Sequence, residues 1–284
     1  MEARSPYKPR RLREELAARG HNALAVDFAD IQLHTGPEGL HLLLKGKPFP
    51  RVHSIYWMHD WNDREAFVIM QALEVLGAPL FWLPSIPMGD KVTQALLLSQ
   101  AGLPIPSTWI CTTPEDIDAR GVSFPCVLKG RYGSQGRKIR WVESSAQLPD
   151  RLAEIQDKGD EGEPFVLQQP VYPLGQDVRA FVVGDSCIAA IERHAQKGDF
   201  RANFSLGGDV KATRLTPQEE DMVLKAHRVM QSPISGVDFI RTEHGPVLLE
   251  VNMWPGFEGL EKATSVNVAA KIIDYMEEKF SARA

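Results

Sequence analysis

GVDFIRTEHGPVLLEVNMWP, residues 236–255, decides how the rest of the chain is read. It breaks into two strand-like runs around a turn at Glu243-His244-Gly245. With Thr242 set against Pro246, an antiparallel count brings Asp238 opposite Glu250, and directly opposed side chains have Cβ atoms about 4.5–5.5 Å apart. Strand period puts Asn252 on the face of Glu250, with Leu249 and Val251 on the other. Two carboxylates that close disfavour joint ionisation. A hard divalent cation resolves the conflict, and magnesium accepts carboxylate and amide oxygens while keeping water and phosphate ligands. The plainer reading is a pair of solvated acids on a surface hairpin; the opposition of the acids and the adjacent Asn252 favour the metal.

Outward from this hairpin, Thr216 opens the clearest helix. Pro217 suits its first position, Glu219 completes a capping box, and Met222, Val223, Ala226, Val229 and Met230 form one apolar stripe. Upstream, FPCVLKGRYGSQGRK (residues 124–138) is an apolar strand ending at Lys129, then a turn with Gly130, Gly133 and Gly136. Glycines let a backbone approach a ligand closely, and N–H groups in such a turn can cradle phosphate. The segment is no P-loop, since no Gly-Lys-Ser/Thr follows. Lys91, Lys129, Arg179, Arg193 and Arg201 are enough cations to offset a triphosphate.

The remaining elements are read by period and punctuation. Helices are expected at Arg10–Arg19 before Gly20, Arg64–Leu76 before Gly77, Lys91–Ala101 behind the cap Asp90, and Leu148–Asp157. Strands are expected at Ala23–Phe28, Val52–Met58, Ile139–Val142, Phe165–Val171, Val178–Val183 and Ser186–Arg193. The alternation in the first third predicts a small parallel α/β layer, and the proline-rich 79–87 reads as a linker. The expected domains are 1–88, 89–170 and 171–284. A net charge of −5 gives no global field for nucleic acid or acidic membrane. No apolar run approaches a bilayer span, and 1–13 lacks the apolar core of a signal peptide. The three cysteines, Cys111, Cys126 and Cys187, have no CxxC spacing; Cys126 and Cys187 sit in apolar runs and fit buried free thiols, and a reducing cytoplasm is expected.

AAIERHAQKGDFRANFSLGG, LTPQEE, GVDFIR and LLEVNMWPGFEGLEKAT together resemble the RimK-type branch of the ATP-grasp superfamily. The likeness runs from Asp90 to the C-terminus. RRLREELAARGH and KGKPFP resemble, less densely, that family's pre-ATP-grasp α/β domain, which here lacks its usual first strand. The resemblance implies a mixed α/β and α+β ATP-grasp fold, with two α+β subdomains clasping ATP. It implies nucleotide contacts by Lys91 and Lys129, and a lid made by Gly133, Ser134, Gln135 and Gly136. It further implies an adenine hinge at Gln168, Gln169 and Val171, and ribose contact by Asp177. Magnesium, or manganese in its place, would sit on Asp238, Glu250 and Asn252. Arg193 and Arg201, the catalytic candidates, would lie near the γ-phosphate with Asn203, and Arg179 would join the phosphate contacts.

Departures from the family pattern occur at Gln169-Pro170 in the hinge, at YWMHDW (residues 56–61), and at Met253-Trp254 after the metal Asn. The implied activity is a carboxylate–amine ligase that works through an acyl phosphate. It would add glutamate or another amino acid to an acceptor carboxylate on a small molecule, peptide or carrier protein, as a cytoplasmic homo-oligomer. His194 and His227 are acid–base candidates by chemistry only, and His227, on a helix, reads better as scaffold. The rival readings are a non-catalytic ATP-binding regulatory module of the same fold and a phosphotransferase whose product stays phosphorylated.

Overall fold

A computed structural model describes residues 7–56, 64–82, 88–114, 117, 121–133, 136–157, 160, 162–196, 198–202 and 208–281. The readings made at Met58, 83–87, Ser134, Gln135 and Asn203 lie outside these residues. The chain divides into two compact units, one of Met1–Ser85, Gly256–Glu258 and Asn267–Ala284, the other of Ile86–Pro255 and Gly259–Val266.

The first unit begins with α1 (Tyr7–Ala18), which stops before Gly20 at φ +79°. Ala23–Phe28 is not the expected strand. The Asp27 side chain accepts the Ala29 N–H and caps a short turn at Phe28–Asp30, so extension starts only at Ile31. The sheet is a meander, β1 (Ile31–Gly36), β2 (Gly39–Leu44) and β3 (Lys47–Pro48), antiparallel throughout. The expected parallel layer fails on loop length. Lys45 and Gly46 form a two-residue turn, both at positive φ, and such a turn can only return the chain antiparallel. Of Val52–Met58, the described part contributes one parallel bridge, Ile55 to Leu80. α2 (Arg64–Val75) follows. The first residues of the supposed linker are core: Leu80 and Phe81 are buried, and the Phe81 ring lies 5.7 Å from Tyr56.

The second unit opens with α3 (Lys91–Gln100), whose N-cap Asp90 accepts the N–H groups of Val92 and Thr93. A four-stranded antiparallel sheet comprises β4 (Thr108–Cys111), β5 (Cys126–Gly130), β6 (Ile139–Val142) and, beyond α4 (Leu148–Ala153), β7 (Phe165–Gln168). Its order is β4-β7-β5-β6. Prolines trim the expected strands: β5 starts only after Pro125, and β7 ends before Pro170, which has no N–H for the ladder. Cys126, Leu128, Val142, Phe165 and Leu167 point to one face and bury Leu148, Leu152 and Ile155. Strand alternation therefore turns Lys129, Val166 and Gln168 to the opposite face.

A five-stranded antiparallel sheet follows, from β8 (Gln176–Val183), β9 (Ser186–His194) and β10 (Asp209–Thr213), then, after α5 (Pro217–Val229), β11 (Ile234–Thr242) and β12 (Gly245–Asn252). Its order is β10-β9-β8-β11-β12. α5 carries the expected capping box between Thr216 and Glu219. It buries Met222, Val223, Ala226 and, beside them, His227, while Val229 is only half-buried. Ser235 and Arg241 point to the α5 side, reaching His227 and Glu219. Gly236 and Asp238 therefore point away from it. α6 (Glu258–Thr264) comes next, and α7 (Val268–Ser281) returns to the first unit, where Arg19 beyond α1 pairs with Asp274 and Glu277 at 2.7 and 2.8 Å. Among the described residues no helix is long and apolar enough to cross a membrane.

Candidate active site

Asp238 pairs with Glu250, as the hairpin count expects, but by a different route. The turn is one residue tighter, with Thr242 opposite Gly245 and Arg241 opposite Pro246. A bulge between Asp238 and Phe239 then restores the offset, because Phe239 pairs with Leu248 and Leu249 is left over. The bulge also corrects the facing of Leu249: it lines the same cleft as Glu250 instead of the opposite side. The Asn252 amide donates to Glu250 Oε1 at 2.9 Å and to Asp238 Oδ2 at 3.2 Å, so both carboxylates converge on one point. Carboxylate and amide oxygens there are the right kind of donor for a hard divalent cation.

Two further strands, β8 and β9, complete this face. Cross-strand pairing sets Arg179 beside Asp238 and Asp177 beside Arg193. Arg179 grips Asp238 with two bonds, Nε to Oδ1 at 2.7 Å and Nη2 to Oδ2 at 2.5 Å. Arg193, 2% exposed, binds both Asp177 oxygens at 2.6 Å and reaches Asp238 at 3.0 Å. Two arginines and two aspartates thus form one closed, charge-balanced network. Burial disfavours the Asp238 charge, but Arg179 and Arg193 outweigh it and hold its carboxyl below the usual range. Asp177 is pushed up by burial, with Arg193 pulling against it. Burial likewise opposes the Arg193 charge, and Asp238 and Asp177 more than restore it.

Next to the acids lies a cleft lined by Lys91, Gln94, Lys129, Gln168, Leu249 and Glu250, with Ala95, Leu98, Ile105 and Val166 as apolar walls. Lys129 Nζ donates to Gln168 Oε1 at 2.6 Å, and Gln168 Nε2 donates to Thr108 Oγ1 at 3.0 Å. Burial pushes the Lys129 ammonium down to about 8; Lys91 adds to this, and Glu250 and Asp238 oppose it. Apolar walls with a few polar groups converging at one end are the usual make-up of a small-molecule site. Gln169 is not among the lining residues; its side chain donates to Ser123 O and its N–H to Ser107 O. Val171 is half-buried.

The glycine turn is held at both ends by cations read as phosphate ligands. Lys91 Nζ donates to Gly133 O and Arg201 Nη1 to Gly136 O, both at 2.8 Å. Gly133 and Gly136 have φ of +138° and +73°, conformations that L side chains rarely adopt. Arg201 is also forked onto Asp199, through Nε to Oδ1 and Nη2 to Oδ2. His194 is exposed; His227 is buried, with Nδ1 2.7 Å from Ser235 Oγ. The sequence reading overlooked Gln94, which lines the cleft and accepts the Val251 N–H at 3.0 Å. It also overlooked Arg131, which pairs with the cap Asp90 at 2.9 Å and with Glu163 at 2.8 Å. The signal for Arg131 was its place in the glycine turn; Gln94 left none beyond a polar residue inside an apolar helix.

Residues 88–276 match the model of the RimK-like ATP-grasp domain. The chain is 32% identical to the probable alpha-L-glutamate ligase 2 of Shewanella denitrificans, over 97% of this chain and 93% of that one. It is 33% identical to the ribosomal protein bS6–L-glutamate ligase of Escherichia coli O7:K1, over 95% and 92%. In fold it is similar to the ATP-grasp ligase PsnB, solved with a phosphomimetic variant of a minimal precursor, Mg and ADP. There the TM-score is 0.72 at 20% identity, covering 98% of this chain and 96% of that one.

Proposed function

Since this chain belongs to the RimK-like ATP-grasp family and is an ATP-dependent carboxylate–amine ligase, we propose that it joins the amine of glutamate to a carboxylate on a peptide or protein. The names of the two glutamate ligases support the amine, and that of the bS6 ligase supports a protein acceptor. The observation that carries the reading is the meeting of Asp238, Glu250 and Asn252 beside the cleft of Lys91, Lys129 and Gln168.

Asp238, Glu250 and Asn252 would hold magnesium, which when bound neutralises phosphate charge. The apolar walls at Ile105, Val166 and Leu249 would take the adenine, with Gln168 at its edge. Lys129 and Lys91 would meet the phosphates, exchanging the Gln168 and Gly133 oxygens for phosphate oxygens. Arg193 and Arg179 lock Asp177 and Asp238 in place, so Asp238 keeps the charge and orientation that a bound cation would need. Arg201, on the far end of the turn, would close the lid over the nucleotide.

In the first step an acceptor carboxylate oxygen attacks the γ-phosphorus and ADP leaves, giving an acyl phosphate. In the second the free amine attacks the acyl carbon, phosphate departs, and the amine proton passes to phosphate or water. Positioning and fixed charge account for the rate, with no protein nucleophile. Mass spectrometry after incubation with ATP, magnesium, glutamate and candidate peptides tests this. A mass gain of one or more glutamyl units with matching ADP and phosphate is expected. AMP release would remove the acyl phosphate, ADP without ligation would favour another acceptor class, and no nucleotide turnover with any acceptor would favour the non-catalytic module.

A further inference from the structure

Lys138 closes the glycine turn from the side opposite the cleft. Gly130 donates its N–H to Lys138 O at 2.9 Å, so the two residues are paired across the turn. Strand alternation sets that pair on the face away from Lys129. There Lys138 lines a second, open cleft with Arg131, Tyr132, Asp160 and Glu163. Its alkyl stem lies across both glycines. A Cβ built on Gly130 would meet Lys138 Cβ and Cδ at 3.2 Å, and one on Gly133 would meet Cβ at 3.2 Å and Cγ at 3.3 Å. Its ammonium pairs with Asp157 at 2.8 Å and with Asp160. Asp157 is 78% exposed and Asp160 only 32%, so Asp160 is the stronger anchor.

We propose that Lys138 is a positioning residue for the glycine turn: its stem fills the space that Gly130 and Gly133 leave open, and its ammonium ties the turn to Asp157 and Asp160. Lys138 is thus no phosphate ligand, although it is a cation in a glycine-rich turn. The shape it fixes is the one in which the Gly133 carbonyl meets Lys91 and the Gly136 carbonyl meets Arg201. A turn already in that shape loses less conformational freedom when phosphates arrive. The link to catalysis rests on the nucleotide reading of the cleft.

The test compares K138A, K138M, K138R and D160N in the full chain by amide exchange of residues 130–139 without nucleotide, and by steady-state kinetics with ATP varied. K138A should exchange several-fold faster there and raise the KM for ATP about tenfold, with kcat changed less than about threefold. K138M keeps the stem and should fall between, K138R should recover most of the loss, and about 0.5 M salt should move the native protein toward K138M. Should K138A fail to fold, D160N carries the test, with the same direction and a smaller effect. Exchange and KM within about twofold of the native protein in both K138A and D160N would overturn the proposal. A collapse of kcat with unchanged exchange would also overturn it, pointing to direct phosphate contact. If the native protein showed no ATP-dependent ligation, the functional reading would fail, while the exchange comparison would still decide whether Lys138 holds the turn.

Discussion

Asp238 and Glu250 stand opposite each other because two irregularities cancel: the β11–β12 turn is one residue short, and the bulge at Leu249 gives that residue back. The bulge brings Leu249 into the cleft beside Glu250. One stretch of backbone thus sets an acid and an apolar side chain on the same cleft.

Glu250 is the acid whose removal tests the site most cleanly. Asp238 is bound into the arginine network, so replacing it leaves buried charge unpaired. Glu250 is half-buried and accepts a hydrogen bond from Asn252. Glu250→Ala should therefore keep its melting temperature within a few degrees and lose turnover by about a thousandfold or more. Near-normal activity in a coupled ADP assay would remove Glu250 from the metal set.

Lys129 should make nucleotide affinity pH-dependent. Burial holds its ammonium near 8, below the usual 10.5, so the free protein loses this charge as pH rises through about 8. ATP binding, measured by calorimetry, should weaken on the alkaline side of that value. Lys129→Met should bind roughly 10–100-fold more weakly at neutral pH, with a flat profile across that range. An unchanged alkaline limb in the variant would assign the pH effect to another group.

Gly236 lets the chain fold back after Asn252. A Cβ there would lie 2.8 Å from Pro255 Cβ and 3.4 Å from Arg179 Nε. Gly236→Ala should cost about 1–3 kcal/mol in denaturant unfolding. Combined with Pro255→Gly, which removes the offending atom, the two losses should add up to less than their sum. Strict additivity would show that the Pro255 contact is not the cause.

The site was legible to the extent that it depends on local period. Strand alternation suffices to put Glu250 and Asn252 on one face, with Asp238 joining them because the short turn and the bulge cancel, and Pro217 with Glu219 suffices to start α5. The pairing of Arg179 with Asp238 and of Arg193 with Asp177 was not legible. It depends on the register among β8, β9 and β11, strands separated by up to about sixty residues in sequence, and a one-residue slip would have turned each arginine to the other face. The first unit was misread because GLHLLLKGKPF looks equally apolar as strand, helix or core loop. Only the paired positive φ of Lys45 and Gly46 decides for a meander. Leu80 and Phe81 read as linker because flanking prolines outweighed two apolar residues whose partners, Ile55 and Tyr56, lie a helix away in sequence.

His227 sets how the scaffold behind the site responds to acid. It is 5% exposed on α5, with Nδ1 2.7 Å from the Ser235 hydroxyl, and burial lowers its pKa below the ordinary 6.5. The unfolded chain therefore binds a proton more readily than the folded one. The neutral ring's contribution is complete above pH 6.5 and is lost as pH falls below that value toward the depressed folded pKa. Denaturant unfolding at a series of pH values should show native stability declining over this window. His227→Gln cannot take up that proton, so its decline should be shallower, with a cost of about 1–2 kcal/mol at pH 7.5 from the altered Ser235 contact. Parallel curves for the two proteins between pH 7 and 5 would show that another group sets the acid response.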